Sequence, residues 1–189
     1  FSSQANREMS MPNQQPKIDD ETLDFLLEVF QLVRAGRAEE FREYLVRGLP
    51  ANLRNEKGDS LLMIAAYNGH PEVVKLLLEH GADPEMANDR GQTPLAAAAF
   101  KGDIDTVTIL LDSGADVDGS VDGGRTALIT AAMFNRTEIV DLLIERGADI
   151  GKQDGSGHTA LMAARIMNAP DTPSQLARAA ERGHPQTKN

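Results

Sequence analysis

Residues 58–90 read GDSLLMIAAYNGHPEVVKLLLEHGADPEMANDR, and the next two stretches superimpose on them without a gap: GQTPLAAAAFKGDIDTVTILLDSGADVDGSVDG at 91–123 and GRTALITAAMFNRTEIVDLLIERGADIGKQDGS at 124–156. Two glycine columns run in phase with this spacing, Gly58, Gly91, Gly124 and Gly157, and Gly48, Gly81, Gly114 and Gly147. A fixed period of this length marks a repeat architecture, in which one supersecondary unit stacks on the next. In the first unit Val73, Val74, Leu76, Leu77 and Leu78 form an apolar stripe that closes on Gly81, a residue suited to the left-handed conformation past a helix end. Pro71 sits in the first turn, where no amide hydrogen is needed, and Glu72 beside it favours the positive end of the helix dipole. Each unit therefore predicts two short helices and a turn-rich tail.

Outward from these units, both ends read as caps. Gly36 and Gly48 are in register with Gly69 and Gly81, but the helix AEEFREYLVRG at 38–48 is more charged than its successors, which suits a solvated outer face. GHTALMAARIMN at 157–168 repeats the first helix, with Arg165 in place of the second paired alanine, and the closing Gly183 comes three residues late. The expected organisation is a disordered leader over 1–18, an N-terminal capping repeat over 19–57, full repeats at 58–90, 91–123 and 124–156, a C-terminal capping repeat over 157–183, and a disordered tail over 184–189.

The 189 residues are 41% hydrophobic but only 4% aromatic, with no tryptophan, so small aliphatic side chains must fill the core. The net charge of -10 disfavours nucleic acid or an anionic membrane as a general partner and favours a protein with basic patches. The absence of cysteine removes disulfides, thiolate catalysis and cysteine zinc sites, and fits a cytoplasmic protein. No apolar run reaches the length of a membrane span, since LDFLLEVFQLV is interrupted by Asp24 and Glu28. The chain begins at Phe1 rather than Met, Met9 and Met11 offer natural starts, and a removed leader stays open.

The units resemble the ankyrin repeat in their 33-residue period, the TPL at Thr93–Leu95, the paired alanines, the NGH at Asn68–His70, and the GAD beginning at Gly81, Gly114 and Gly147. The resemblance covers about 58–182 and implies an all-α fold, an ankyrin-repeat solenoid of paired antiparallel helices with β-turn fingers. One departure stands out. The histidine that usually follows TPL in that family is replaced by Met63, Ala96, Ile129 and Met162, so apolar packing is expected where the family has a hydrogen bond.

Catalytic constellations are hard to find. His70, His80, His158 and His184 have no base or ligand at helical spacing; His70 reads as structural, between helices, and His80 as a residue at the negative end of a helix. DVDGSVDGG at 116–124 has carboxylates but places its glycine too early for a calcium loop and has Ala127 where a bidentate glutamate is needed. GSGHT at 155–159 lacks the lysine and spacing of a phosphate loop. Arg54, Lys57, Arg90 and Arg125 fall at corresponding finger positions, with Glu56, Asp89 and Asp122 set among them to neutralise much of the field.

On a helix advancing about 100° per residue, Leu95, Ala98 and Ala99 share one face and Phe100 points away. Its register partners are Tyr67, Met133 and Ile166, and the cap has Arg34 there. The resemblance implies that this column, with the neighbouring Lys101 and Phe134, lines a concave binding side alongside the fingers. The expectation is a non-enzymatic protein-binding module, adaptor or inhibitor, monomeric when free and needing no cofactor or metal. Tyr67, Phe100, Met133, Phe134, Ile166 and Lys101 would take the partner, and Arg54, Asp89, Arg90, Gln92, Arg125 and His158 would give polar selectivity. The rival readings are a small-molecule binder or enzyme subunit using the groove, and a homo-oligomer through the apolar column.

Overall fold

Every first helix from residue 58 onward starts on a hydroxyl. Ser60, Thr93, Thr126 and Thr159 lie in extended backbone, and each side-chain oxygen accepts the amide N–H three residues on, at 3.0, 3.3, 3.2 and 3.3 Å. Such a cap supplies one of the partners that the opening turn of a helix otherwise lacks. In the computed structural model, which describes residues 18–183, ten helices follow from these starts and from the cap Asp19. They are α1 (Asp20–Arg34), α2 (Ala38–Val46), α3 (Leu61–Asn68), α4 (Pro71–Glu79), α5 (Pro94–Lys101), α6 (Ile104–Asp112), α7 (Ala127–Met133), α8 (Thr137–Glu145), α9 (Ala160–Ile166) and α10 (Thr172–Gly183). The described residues hold no strand, only an isolated bridge between Arg54 and Ser60. The fold is all-α, an ankyrin-type solenoid.

The odd-numbered helices α1 to α9 pack in succession as one layer, α2 to α8 form the second, and α10 closes the stack against α7, α8 and α9. The first layer can stack closely because its contact face is alanine: Ala65, Ala66, Ala98, Ala99, Ala131 and Ala132 are all fully buried. Branched side chains fill the space between the layers, with Val74, Leu77, Val107, Leu110, Val140, Leu143 and Leu176 sealed from solvent. In the cap Phe41 takes the corresponding place. A core with almost no aromatics thus fills by columns of small and medium side chains.

Side chains also tie one unit to the next. Asn52, Glu85 and Asp118, each one period apart, accept the backbone N–H of Asp83 (2.8 Å), Asp116 (2.8 Å) and Asp149 (3.0 Å) in the following unit. Within the run at 116–124, Asp116 also accepts the N–H of Asp118 at 3.0 Å, so these two carboxylates serve the backbone. In the fingers, Asn55, Asn88 and Asp154 each accept the amides two and four residues on. The third finger has Val121 at that position and folds differently. Asp122 and Gly123 both take positive φ, 49° and 75°, and the Gly123 carbonyl accepts the Gly155 N–H at 2.9 Å. The glycine column therefore breaks in conformation at Gly124, which is not left-handed.

The two ends differ from expectation in detail. The α2 face is charged and exposed at Glu39, Glu40 and Glu43, as its composition implies, but Leu23 and Leu27 of α1 and Val46 of α2 are exposed too. Gly183 belongs to α10 and does not close it with a left-handed turn; α10 is three residues longer than α8. The disorder expected at the two ends falls on residues outside the described ones, except Ile18, which is exposed just before the Asp19 cap. No helix among the described residues is long and apolar enough to cross a membrane.

Candidate functional site

The end of each first helix sets where its last side chain points. On α5 the apolar face ends at Ala99, and Phe100 turns out of the layer, half-buried. The Tyr67 ring of α3 stacks on it, centroids 5.3 Å apart and planes 10° from parallel. Phe134 meets its other side edge-on, at 4.7 Å and 86°. Both geometries are ones aromatic rings prefer. Tyr67 remains 51% exposed and Phe134 37%, so the rings form a strip across three units with solvent on one side.

Phe134 occupies the place in this strip that the 33-residue register assigns to Met133. Helix α7 stops one residue early, Phe134 caps it, and Asn135 follows in the left-handed region at φ 56°. Met133 packs against the core instead, at the edge of the groove. The Phe100 backbone is itself held: Arg136 donates to its carbonyl through Nε (3.3 Å) and Nη2 (3.1 Å). His70 has the equivalent role at the end of α1, its Nε2 lying 2.7 Å from the Arg34 carbonyl. His80 Nδ1 lies 2.8 Å from the Leu76 carbonyl of its own helix. These two histidines are thus engaged with helix ends, and His184 lies outside the described residues.

Between the fingers and the first helices run two adjoining depressions, of about 470 and 370 Å³, which share Arg90, Gln92 and Phe100. Tyr67, Arg34 and Lys57 belong to the first, and Phe134, Met133 and Arg125 to the second. The carboxylates of the lining are committed internally. Asp59 accepts from Asn88 (2.9 Å) and Asn55 (3.4 Å). Asp154, with a side chain only 5% exposed, accepts the N–H groups of Ser156 and His158 and lies 3.6 Å from Arg125. Burial pushes the Asp154 carboxyl up, but those two N–H groups and the His158 and Arg125 charges outweigh it and hold it below the ordinary value of 3.8.

Several residues expected at the site lie elsewhere. Arg54 donates to the carbonyls of Gly58 and Ala87, both at 2.9 Å, and pairs with Asp89 at 3.6 Å, so this pair ties the first finger to the second and lines neither depression. His158 faces Asp154 at 3.8 Å outside both linings. Lys101 is exposed along Gly69, and Ile166, 60% exposed, lies on the last unit beyond the groove. Glu56, Asp89 and Asp122 line neither depression, although each adjoins a lining residue in the chain. Conversely, Arg34 and Lys57 line it although they were not expected to act there. Register is the signal that finds them: Arg34 precedes Tyr67, and Lys57 precedes Arg90, by one period.

A family profile described as ankyrin repeats (3 copies) matches residues 29–121 and again 117–184. A Pseudomonas aeruginosa protein described as an ankyrin repeat protein is 51% identical over 61 residues, which cover 32% of this chain and 36% of the relative. The match thus spans about a third of that relative's length. Ankyrin repeats generally mediate protein–protein interaction.

Proposed function

We propose that this chain, which belongs to the ankyrin-repeat family, is a non-enzymatic module that docks a protein partner in the groove between its fingers and first helices, as an adaptor or an inhibitor. The observation that carries this reading is the strip Tyr67–Phe100–Phe134: apolar rings in contact across three units, with Tyr67 and Phe134 left exposed. Aromatic side chains at the centre of a surface are the usual anchors of an interface. Phe100 and Phe134 are the anchors, Tyr67 flanks them, and Arg90, Gln92 and Arg125 select by polar contact. The free chain is monomeric and cytoplasmic in this reading.

The test compares proteins retained by the intact chain, by a Tyr67→Asp/Phe100→Asp double variant, and by Lys75→Asp on the exposed side of α4. Retention by the native chain and the Lys75 variant, with loss in the double variant, is expected. If the folded double variant holds the same proteins, the groove is not the docking face. Adding the recovered protein's own activity assay then separates adaptor from inhibitor.

A further inference from the structure

The groove has the opposite charge to the molecule that carries it. Across the chain 19 basic side chains stand against 29 acidic ones. Lining the two depressions are four cations, Arg34, Lys57, Arg90 and Arg125, and two carboxylates, Asp59 and Asp154. Both carboxylates are already taken by the internal hydrogen bonds described above, and Asp154 is almost wholly buried as well. Arg34, Lys57 and Arg90, all exposed, make no side-chain hydrogen bond or ion pair among the described residues. Three uncommitted cations therefore surround the Tyr67–Phe100 stack.

We propose that the groove takes an extended acidic segment of a partner protein, with an apolar side chain seated against Tyr67 and Phe100 and flanking carboxylates paired with Arg34, Lys57 and Arg90. This rests on the docking reading above and adds the chemistry of the ligand. The length is limited by the stack. First-layer helices of such a solenoid lie about 8–10 Å apart, so α1 to α7 span on the order of 25–30 Å, enough for roughly seven to nine extended residues. A short segment also suits the electrostatics. The net charge of -10 repels a large acidic surface at long range, but screening beyond about 8 Å at physiological salt leaves the local cations dominant at contact. Arginine contributes most here because its planar fork meets a carboxylate through two hydrogen bonds.

A random dodecapeptide library displayed on phage, selected on the intact immobilised chain, tests this. Parallel selections use Arg34→Glu/Lys57→Glu/Arg90→Glu and Tyr67→Asp/Phe100→Asp chains, each checked for native ellipticity. The expected result is enrichment of Asp and Glu around an aromatic or branched apolar residue, lost in both variants. A peptide so selected should bind the native chain at least about tenfold more tightly than it binds the charge-reversed chain, with affinity falling as salt rises. Enriched peptides that are neutral or basic, lost only in the aromatic variant, would overturn the acidic ligand and leave the docking face standing. Peptides indifferent to both variants would overturn both.

Discussion

Gly81 and Gly91 are the same residue in the same left-handed region, at φ 85° and 74°, yet alanine should cost very different amounts at the two. A methyl group on Gly81 meets nothing within 4 Å. Gly81→Ala therefore carries conformational strain alone, roughly 1–2 kcal/mol. About 0.4–1 kcal/mol of that is offset because the unfolded chain loses freedom, for a net loss of about 1 kcal/mol. A methyl group on Gly91 would stand 2.2 Å from the Val121 carbonyl oxygen, where ordinary contact begins near 3.4 Å. The obstacle is backbone, so the second and third fingers must separate by about 1.2 Å. Forcing extra volume into packed structure typically adds roughly 1–3 kcal/mol, which puts Gly91→Ala at about 2–4 kcal/mol. Urea unfolding followed by far-ultraviolet ellipticity measures both. Gly58→Ala is the internal control: its methyl group would also lie 2.2 Å from an oxygen, but that oxygen is Asp89 Oδ1, on a side chain that can swing aside. It should fall between Gly81→Ala and Gly91→Ala, because the same methyl group would stand 2.8 Å from Arg54 Nη2 and disturb its bond to the Ala87 carbonyl. Equal losses at Gly81 and Gly91 would refute the finger-to-finger contact and the reasoning built on it.

Two further outcomes follow from the groove. Phe100→Ala should cost more than Tyr67→Ala or Phe134→Ala by about 1–2 kcal/mol, because it loses two aromatic contacts of about 0.5–1.5 kcal/mol each beyond its buried area where each neighbour loses one; equal losses at the three positions would refute the strip. Asp154 titrates below its ordinary value in the folded chain, so its ionised form stabilises the fold above about pH 4, and that contribution is lost as pH falls through the depressed value. Asp154→Asn keeps an oxygen for the same two amides, as Asn55 and Asn88 do, and should cost less at neutral pH than Asp154→Ala while flattening the acid limb of stability. Identical stability-against-pH curves for the native and asparagine chains would refute the assignment.

The 33-residue period, the paired helices and the outward aim of Phe100 can all be read from the sequence because each depends on one local rule applied at fixed spacing. Leu95, Ala98 and Ala99 define the buried face, and Phe100 must leave it. What depends on two units meeting is not readable in that way. Gly81 and Gly91 sit in equally regular columns, but only Gly91 abuts another finger's backbone. Arg54 and Asp89 look like polar finger tips, and only their mutual approach shows them spent on each other. Phe134 meets Phe100 edge-on although its register counterparts are Lys101 and Asn68, because its contact is made with a ring of the preceding unit, which a gapless alignment of single units does not show. The groove's charge is hidden in the sequence for a related reason: whole-chain counts average over acids such as Glu85, Asp116 and Asp118, which bind backbone amides and line neither depression.

The bonds from Asn52, Glu85 and Asp118 to the following unit have a direction, and direction gives the stack two chemically distinct ends. Each such side chain completes the turn of its successor, like the reactive end of a growing polymer. At the next register position the chain has Gly151, which carries no acceptor. The series is terminated there, one unit before α10 covers the end. A duplicated repeat inserted upstream of that glycine inherits a partner for its turn, whereas one appended after it would not.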